Sequence, residues 1–299
     1  MPEEPFGTNE ALPFLKNPRA LIVVIQGLLP SLTPAERAIA TVLLELRNAD
    51  PELLRAAHIA ERAQVSEAAI VKFCKRLGLT GFRELRGILL QYQQTPSIDL
   101  HEELSLNDDS ETIVRKVFHT AVQSINDTMA VFDYHAFERA AEAIAHATTR
   151  LFFGVGGSAT IARDFEHKLL RIGIIGRAHD DTHLMAMGAA LLEPGDVALG
   201  ISHSGSTLAV IEALQIARAR GATTIGITNM RESPLTALAH ISLVSASQGS
   251  PITGENAASR IAQLNILDAL FVRIAQYNRD QAIRHLEATM KSVSQKRLT

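Results

Sequence analysis

The chain has 299 residues, 46% apolar and 20% charged, with a formal net charge of −3. At roughly 150 residues per domain this length allows two folded domains, and the composition is that of an ordinary globular protein. It contains no tryptophan and one cysteine, Cys74, which excludes an intrachain disulfide and a multi-cysteine metal site and leaves little aromatic surface for stacking on bases.

The longest apolar run, Ala20 to Leu29, contains Gln26 and Gly27 and stops at Pro30, short of the roughly 20 residues that cross a bilayer. No membrane partner is expected. The start, Met1 to Pro5, is acidic and proline-bearing, unlike a secretory signal. With the lone cysteine it points to a cytoplasmic protein. In a slightly acidic chain, any nucleic-acid surface has to come from local segregation of charge.

Residues 1–18 show little periodicity and read as a loose arm. A helical domain is predicted over 19–95. Thr33-Pro34-Ala35-Glu36 is a helix start, with Thr33 as N-cap, Pro34 in the first turn and Glu36 completing a capping box. That helix carries Ile39, Val42, Leu43 and Leu46 on one face, and a further short helix is expected over Pro51–Ala57. Two helices then meet at a tight turn around Gln64 and Val65. Ser66 caps the second and Gly78 stops it.

In that second helix Ile70, Phe73 and Leu77 recur at core spacing, which turns Glu67, Ala68, Val71, Lys72, Lys75 and Arg76 to the other side. Five of the six charged residues from Lys72 to Arg86 are basic. A helix, a tight turn and a capped basic helix form the helix-turn-helix layout, whose second helix enters the DNA major groove. The plainer alternative is a three-helix core with a solvated basic face.

Residues 96–110, with Pro96 and several acids, read as a linker. Over 111–280 a second domain is expected. Ser110 is predicted to cap a helix with Ile113, Val117, Val122, Ile125 and Met129 as its apolar members, and another helix covers about Tyr134–Ala147. Strands are expected at Arg150–Val155, Ile174–Ala178, Asp196–Ile201, Thr223–Thr228 and Ile241–Ser245, alternating with helices and followed by a long helix, Asn256–Tyr277. The pattern implies a doubly wound α/β domain with a five-stranded parallel sheet. The long helix carries Ile261, Leu264, Leu267, Leu270 and Phe271 as core or dimer surface. Residues 281–299 read as a C-terminal tail.

Two loops between strand and helix are rich in glycine and hydroxyls, Gly154–Ser158 and Ser202–Thr207. A loop entering a helix N-terminus offers unpaired backbone N–H groups and the positive end of the helix dipole, which suits a phosphate. A serine-rich turn that merely caps its helix is the plainer alternative. The cluster His179, Asp180, Asp181 and His183 lacks the spacing of a helical metal motif and reads as a polar strand-end loop, so neither a metal nor a cofactor is expected.

The order helix-turn-helix, then G-V-G-G-S at Gly154–Ser158, then S-H-S-G-S-T at Ser202–Thr207, resembles the RpiR family of bacterial transcription regulators. These join a helix-turn-helix to a sugar isomerase (SIS) domain. The DNA-binding signature is similar at Val65 to Gly78 and Gly81-Phe82, with Ala69 in place of the usual threonine and Lys72 in place of the usual arginine. The resemblance implies a repressor of a sugar-catabolism operon. It implies operator DNA contacts at Ser66, Glu67, Ala68, Lys72, Lys75 and Arg76. It implies a phosphorylated sugar effector held by Ser158, Ser202, His203, Ser204, Ser206, Thr207 and Glu255, and a homodimer or homotetramer. A sugar-phosphate isomerase or lyase is the other reading, since SIS domains also occur in enzymes; Glu166, His167, His203 and Glu255 are then the available bases.

Overall fold

In the computed structural model the chain divides into two compact units, Met1–His101 and Glu102–Thr299. The structure describes residues 18–47, 49–94, 104–247, 257–294 and 296.

The first unit is helical: α1 (Pro18–Leu28), α2 (Pro34–Leu46), α3 (Ala56–Ala63), α4 (Glu67–Arg76) and α5 (Phe82–Gln94). The capping box at Thr33 and Glu36 forms, with the Glu36 carboxylate accepting from the Thr33 N–H at 3.0 Å. The helix expected over Pro51–Ala57 does not form. Pro51–Leu53 is a single 3₁₀ turn, Leu54 makes an inverse γ-turn with Arg55 N–H donating to the Leu53 carbonyl at 2.9 Å, Arg55 is extended, and α3 starts at Ala56. Gln64 makes the tight turn in the left-handed region (φ 54°), and the Ser66 hydroxyl accepts from Ala69 N–H at the head of α4. Ile39, Leu43, Ile59, Ile70, Phe73 and Leu85 are fully enclosed.

The second unit opens with α6 (Ser110–Ala130) and α7 (Tyr134–His146). Asp109, not Ser110, caps α6, because its carboxylate accepts from Thr112 N–H at 2.8 Å. Five strands and their helices follow: β1 (Arg150–Gly154), α8 (Gly157–Arg171), β2 (Arg177–His179), α9 (Thr182–Ala190), β3 (Val197–Ile201), α10 (Leu208–Ala219), β4 (Thr223–Thr228), α11 (Pro234–Leu238) and β5 (Ile241–Val244). The sheet is parallel throughout, in the order β2-β1-β3-β4-β5. Helices α7, α8 and α12 (Ala257–Tyr277) cover one face, and α9, α10 and α11 the other. Both faces are dry, so β3 and β4 are buried almost end to end.

Strand β2 starts three residues later than its apolar run suggests. Gly173 takes φ 79°, and at Gly176 a Cβ would lie 2.5 Å from the Phe152 ring, so the chain reaches the sheet only at Arg177 and leaves Ile175 exposed. The residues read as a tail instead form α13 (Arg279–Ser294), packed on α8. His285 Nδ1 lies 2.9 Å from the Ile172 carbonyl, its ring filling the space where a Gly173 side chain would be.

Helix α6 is amphipathic the wrong way round for a lone domain. Its inward stripe is polar: Gln123, Ser124, Asp127 and Thr128 are buried. Its outward stripe is apolar: Val114, Val117, Phe118, Val122 and Met129 are exposed, Phe118 by 70%. The inward polarity has a cause. The chain leaving β5 no longer has a strand partner, and α6 supplies one. Ala246 N–H donates to Thr128 Oγ1 at 3.0 Å, and Ser124 Oγ donates to the Ala246 and Ala258 carbonyls at 3.3 and 3.1 Å.

Cys74 is fully buried on α4, and burial pushes its thiol up to about 11. The native protein is therefore expected to resist a thiol-reactive chromogen at pH 8, and one thiol per chain should react in denaturant. Rapid titration of the native protein would contradict this packing.

Candidate functional site

In an open parallel sheet, ligands sit beyond the carboxyl ends of the strands where the strand order reverses. Here the reversal lies between β1 and β3, paired in register with Gly154 opposite Ile201. The two hydroxyl-rich loops leave these two neighbouring strands. The first turns through Gly156 (φ 59°) into α8, which folds back so closely that a Cβ on Gly154 would stand 2.7 Å from the Ser158 carbonyl. Ser158 is half-buried in the first turn of α8.

The Ser202–Thr207 loop is held from within. Ser202 is buried, and its hydroxyl is 2.8 Å from Thr207 Oγ1. Thr207 is the N-cap of α10, but its side chain is turned to Ser202 and leaves the helix uncapped. Gly156 likewise lends α8 no side-chain cap. By contrast α6, α7, α9 and α11 are capped by Asp109, Asp133, Asp181 and Ser233. The two helices that open on the reversal are thus those, from α6 to α11, whose first N–H groups no capping side chain takes. Ser204 and Ser206 are exposed at the loop crest, their hydroxyls 2.9 Å apart.

Several neighbours fix this loop. The His203 carbonyl accepts from Asn229 N–H at 3.0 Å and Thr228 Oγ1 at 3.1 Å, and the Gly205 carbonyl accepts from Leu235 N–H at 3.0 Å. The His203 ring turns to α12, its Nδ1 2.8 Å from Ser259 Oγ. Arg260 lies against the start of α8: a Cβ on Gly157 would be 3.4 Å from its Cδ. Neither Ser259 nor Thr228 was singled out from the sequence. The only signal for Ser259 is that, with Gln263, it interrupts an apolar helical stripe. Glu255 lies outside the described residues.

Most of the remaining candidates make contacts within the fold. Asp180 pairs with Arg163, and Asp181 caps α9 by accepting from His183 and Leu184 N–H at 3.0 and 2.9 Å. The His179 ring stacks against Phe153. Glu166 accepts from Ala178 N–H at 3.1 Å, tying α8 to β2, while His167 is exposed.

On α4, Ser66, Glu67, Ala68, Val71, Lys72 and Lys75 are all exposed, with Ile70 and Phe73 behind them. Arg76 differs. Its guanidinium reaches α2 and donates to Glu36 at 2.7 Å. Burial works to raise the Glu36 carboxyl, but the hydrogen bonds from Thr33 and Arg76 outweigh it and hold the carboxyl below its ordinary value. Arg86 donates to the Leu54 carbonyl at 2.9 Å. The basic surface on α4 itself is carried by Lys72 and Lys75.

Two family models match the chain, a helix-turn-helix domain of the rpiR family over residues 20–96 and a SIS domain over residues 143–273. A helix-turn-helix transcriptional regulator of Caldanaerobacter subterraneus is 36% identical over 278 residues, covering 93% of this chain and 98% of its own. The chain belongs to the RpiR family. RpiR of Escherichia coli is 40% identical over 231 residues, 77% of this chain and 78% of that one. Among solved structures, Vibrio vulnificus NanR complexed with ManNAc-6P is 27% identical, with TM-score 0.59 over 93% of this chain and all of that one. The sugar isomerase domain of an RpiR transcription factor from Sphaerobacter thermophilus is 25% identical, with TM-score 0.56 over 60% of this chain and 99% of that one.

This RpiR-family member is a helix-turn-helix transcription regulator with a SIS domain. The shape of its Ser202–Thr207 loop depends on Gly205, at φ 62° with Ser233 Oγ 2.3 Å from where a Cβ would be. Gly205→Ala is expected to cost about 2 kcal/mol or more, from the left-handed backbone and the overlap together. It should lower the melting temperature of the second unit by several degrees. An unchanged melting curve would show that the loop is looser than this geometry.

Proposed function

We propose that this regulator is a cytoplasmic repressor of a sugar-catabolism operon, released from operator DNA by a phosphorylated sugar bound at the β1–β3 reversal. The observation that carries the reading is the pair of uncapped helix N-termini, α8 and α10, that open from adjacent strands beside the exposed hydroxyls of Ser204 and Ser206. Backbone N–H groups and two helix dipoles suit a dianionic phosphate, and the serine hydroxyls add donors. Ser158 lies in the first turn of α8, within the same group. Ser202 and Thr207 keep the loop in shape, and His203 links it to α12. The ManNAc-6P held by NanR supports the ligand class.

On the DNA side, Ser66, Glu67 and Ala68 begin the recognition helix and meet base edges, while Lys72 and Lys75 neutralise phosphates. Arg76 braces α4 against α2. Effector and DNA are linked reciprocally, each weakening the other by the same factor. A phosphorylated pentose or hexose is expected to raise the melting temperature and release the operator in a gel shift, with the free sugar doing neither; Ser204→Ala removes both effects. Equal action by the free sugar would sink the phosphate assignment. The reading includes binding without turnover. Incubation with ribose, allose and hexose phosphates is expected to return them unchanged, and any interconversion revives the isomerase alternative.

Recognition of two half-sites calls for at least a dimer. The outward stripe of α6, Val114, Phe118, Val122 and Met129, is the face that suits a second copy, being apolar where a lone domain needs polar residues. Phe118→Glu is expected to halve the mass measured by light scattering and weaken operator binding at least tenfold, with effector binding retained. A variant that keeps its parent's mass and affinity would remove α6 from the interface.

A further inference from the structure

Helix α12 presents one stripe inward at Ser259, Gln263, Leu267, Leu270 and Ile274. The lower three join the apolar core beneath the sheet. The upper two are polar. Ser259 has a task, holding His203 Nδ1 at 2.8 Å. Gln263 lies one helical turn further on, about 6 Å along the axis. It is 1% exposed, yet its Nε2 has no hydrogen-bond partner among the described residues.

That is a costly arrangement, because a buried amide N–H gives up water and gains nothing in return. The hydroxyls nearby are spoken for: Ser259 by His203, and Ser124 by the Ala246 and Ala258 carbonyls. Among the described residues the other buried side-chain atom in this position, Asp164 Oδ2, has the Lys168 ammonium 2.6 Å away. Gln263 has no such compensation. A leucine or methionine there would continue the stripe and remove the orphan.

We propose that Gln263 reads the sugar. Its side-chain amide donates to an oxygen of the effector whose phosphate lies at the Ser202–Thr207 loop, at the point where α12 passes from the loop to the core. The assignment rests on the phosphate reading above and adds the group that tells one sugar from another. The Nε2 group needs an acceptor, so it recognises an oxygen substituent of the sugar rather than a methylene. It takes no proton near neutral pH, so it binds the sugar without offering a base for turnover. A site built around such a bond discriminates strongly against an analogue lacking that oxygen, because the buried donor is orphaned again.

The test uses the full chain, with Gln263→Leu and Gln263→Met beside the parent. Ribose 5-phosphate, glucose 6-phosphate and N-acetylmannosamine 6-phosphate are titrated by calorimetry, and inorganic phosphate by the millimolar protection it gives against melting. For whichever sugar phosphate binds the parent most tightly, both variants are expected to lose tenfold or more in affinity. Protection by inorganic phosphate should stay within twofold, and the ligand-free melting temperature should hold or rise. Full retention of sugar-phosphate affinity in either variant overturns the proposal, as does a loss of phosphate protection equal to the loss for the sugar. If none of the three binds the parent while inorganic phosphate protects it, the assignment of Gln263 fails and the anion site stands. If inorganic phosphate also fails, the phosphate reading falls with it.

Discussion

The pairing of β1 with β3 is the constraint on which the rest of the second unit depends. Right-handed crossovers bring the chain from β1 to β2 on one side and from β2 back to β3 on the other, so the reversal has to fall between β1 and β3. Two helix N-termini then open from adjacent strand ends. Each would be an ordinary capped turn elsewhere in this fold, as at α9 and α11. Here the caps are missing because the residues that would supply them are a glycine and a threonine whose hydroxyl is engaged with Ser202. The candidate site follows from topology first and side chains second.

Much of this was legible in the sequence. Alternating apolar runs and helical periods give a five-stranded parallel sheet, and the two loops stand out by composition. The capping pairs at Thr33–Glu36 and Ser66–Ala69 form from local hydrogen bonding alone, which is why local sequence reveals them. What was hidden depends on contacts distant in the chain. Residues 281–299 lack a strong apolar stripe, and α13 is held by Ala282 in the core and by His285 filling the gap at Gly173. The start of β2 is set by the Phe152 ring, twenty-odd residues earlier. Ser259 and Gln263 interrupt an apolar stripe and gain meaning only when Ser259 meets His203. The inward polarity of α6 answers backbone groups more than a hundred residues away.

The first unit resolves a conflict of charge within an acidic chain. A recognition helix needs cations on its outer face, and cations crowded on one helix repel each other and the rest of the basic surface. Arg76 is taken out of that crowd by Glu36, which is itself fixed by Thr33. The pair has side chains partly open to solvent, so its contribution is modest, within the range of about 0–1 kcal/mol for such pairs. Its value is positional: it ties α4 to α2 beside the buried Ile70 and Phe73, whose packing turns Lys72 and Lys75 outward.

Helix α6 carries a further consequence under the two-fold pairing proposed for it. A helix that keeps its polar groups inside and its apolar groups outside has left part of the chain's folding free energy with another molecule. Its melting temperature then rises with protein concentration, because association stabilises the folded state by mass action. Anything that binds only the paired form, operator DNA included, is then also a stabiliser of the fold, and the protein is at its most fragile when it is unbound and alone.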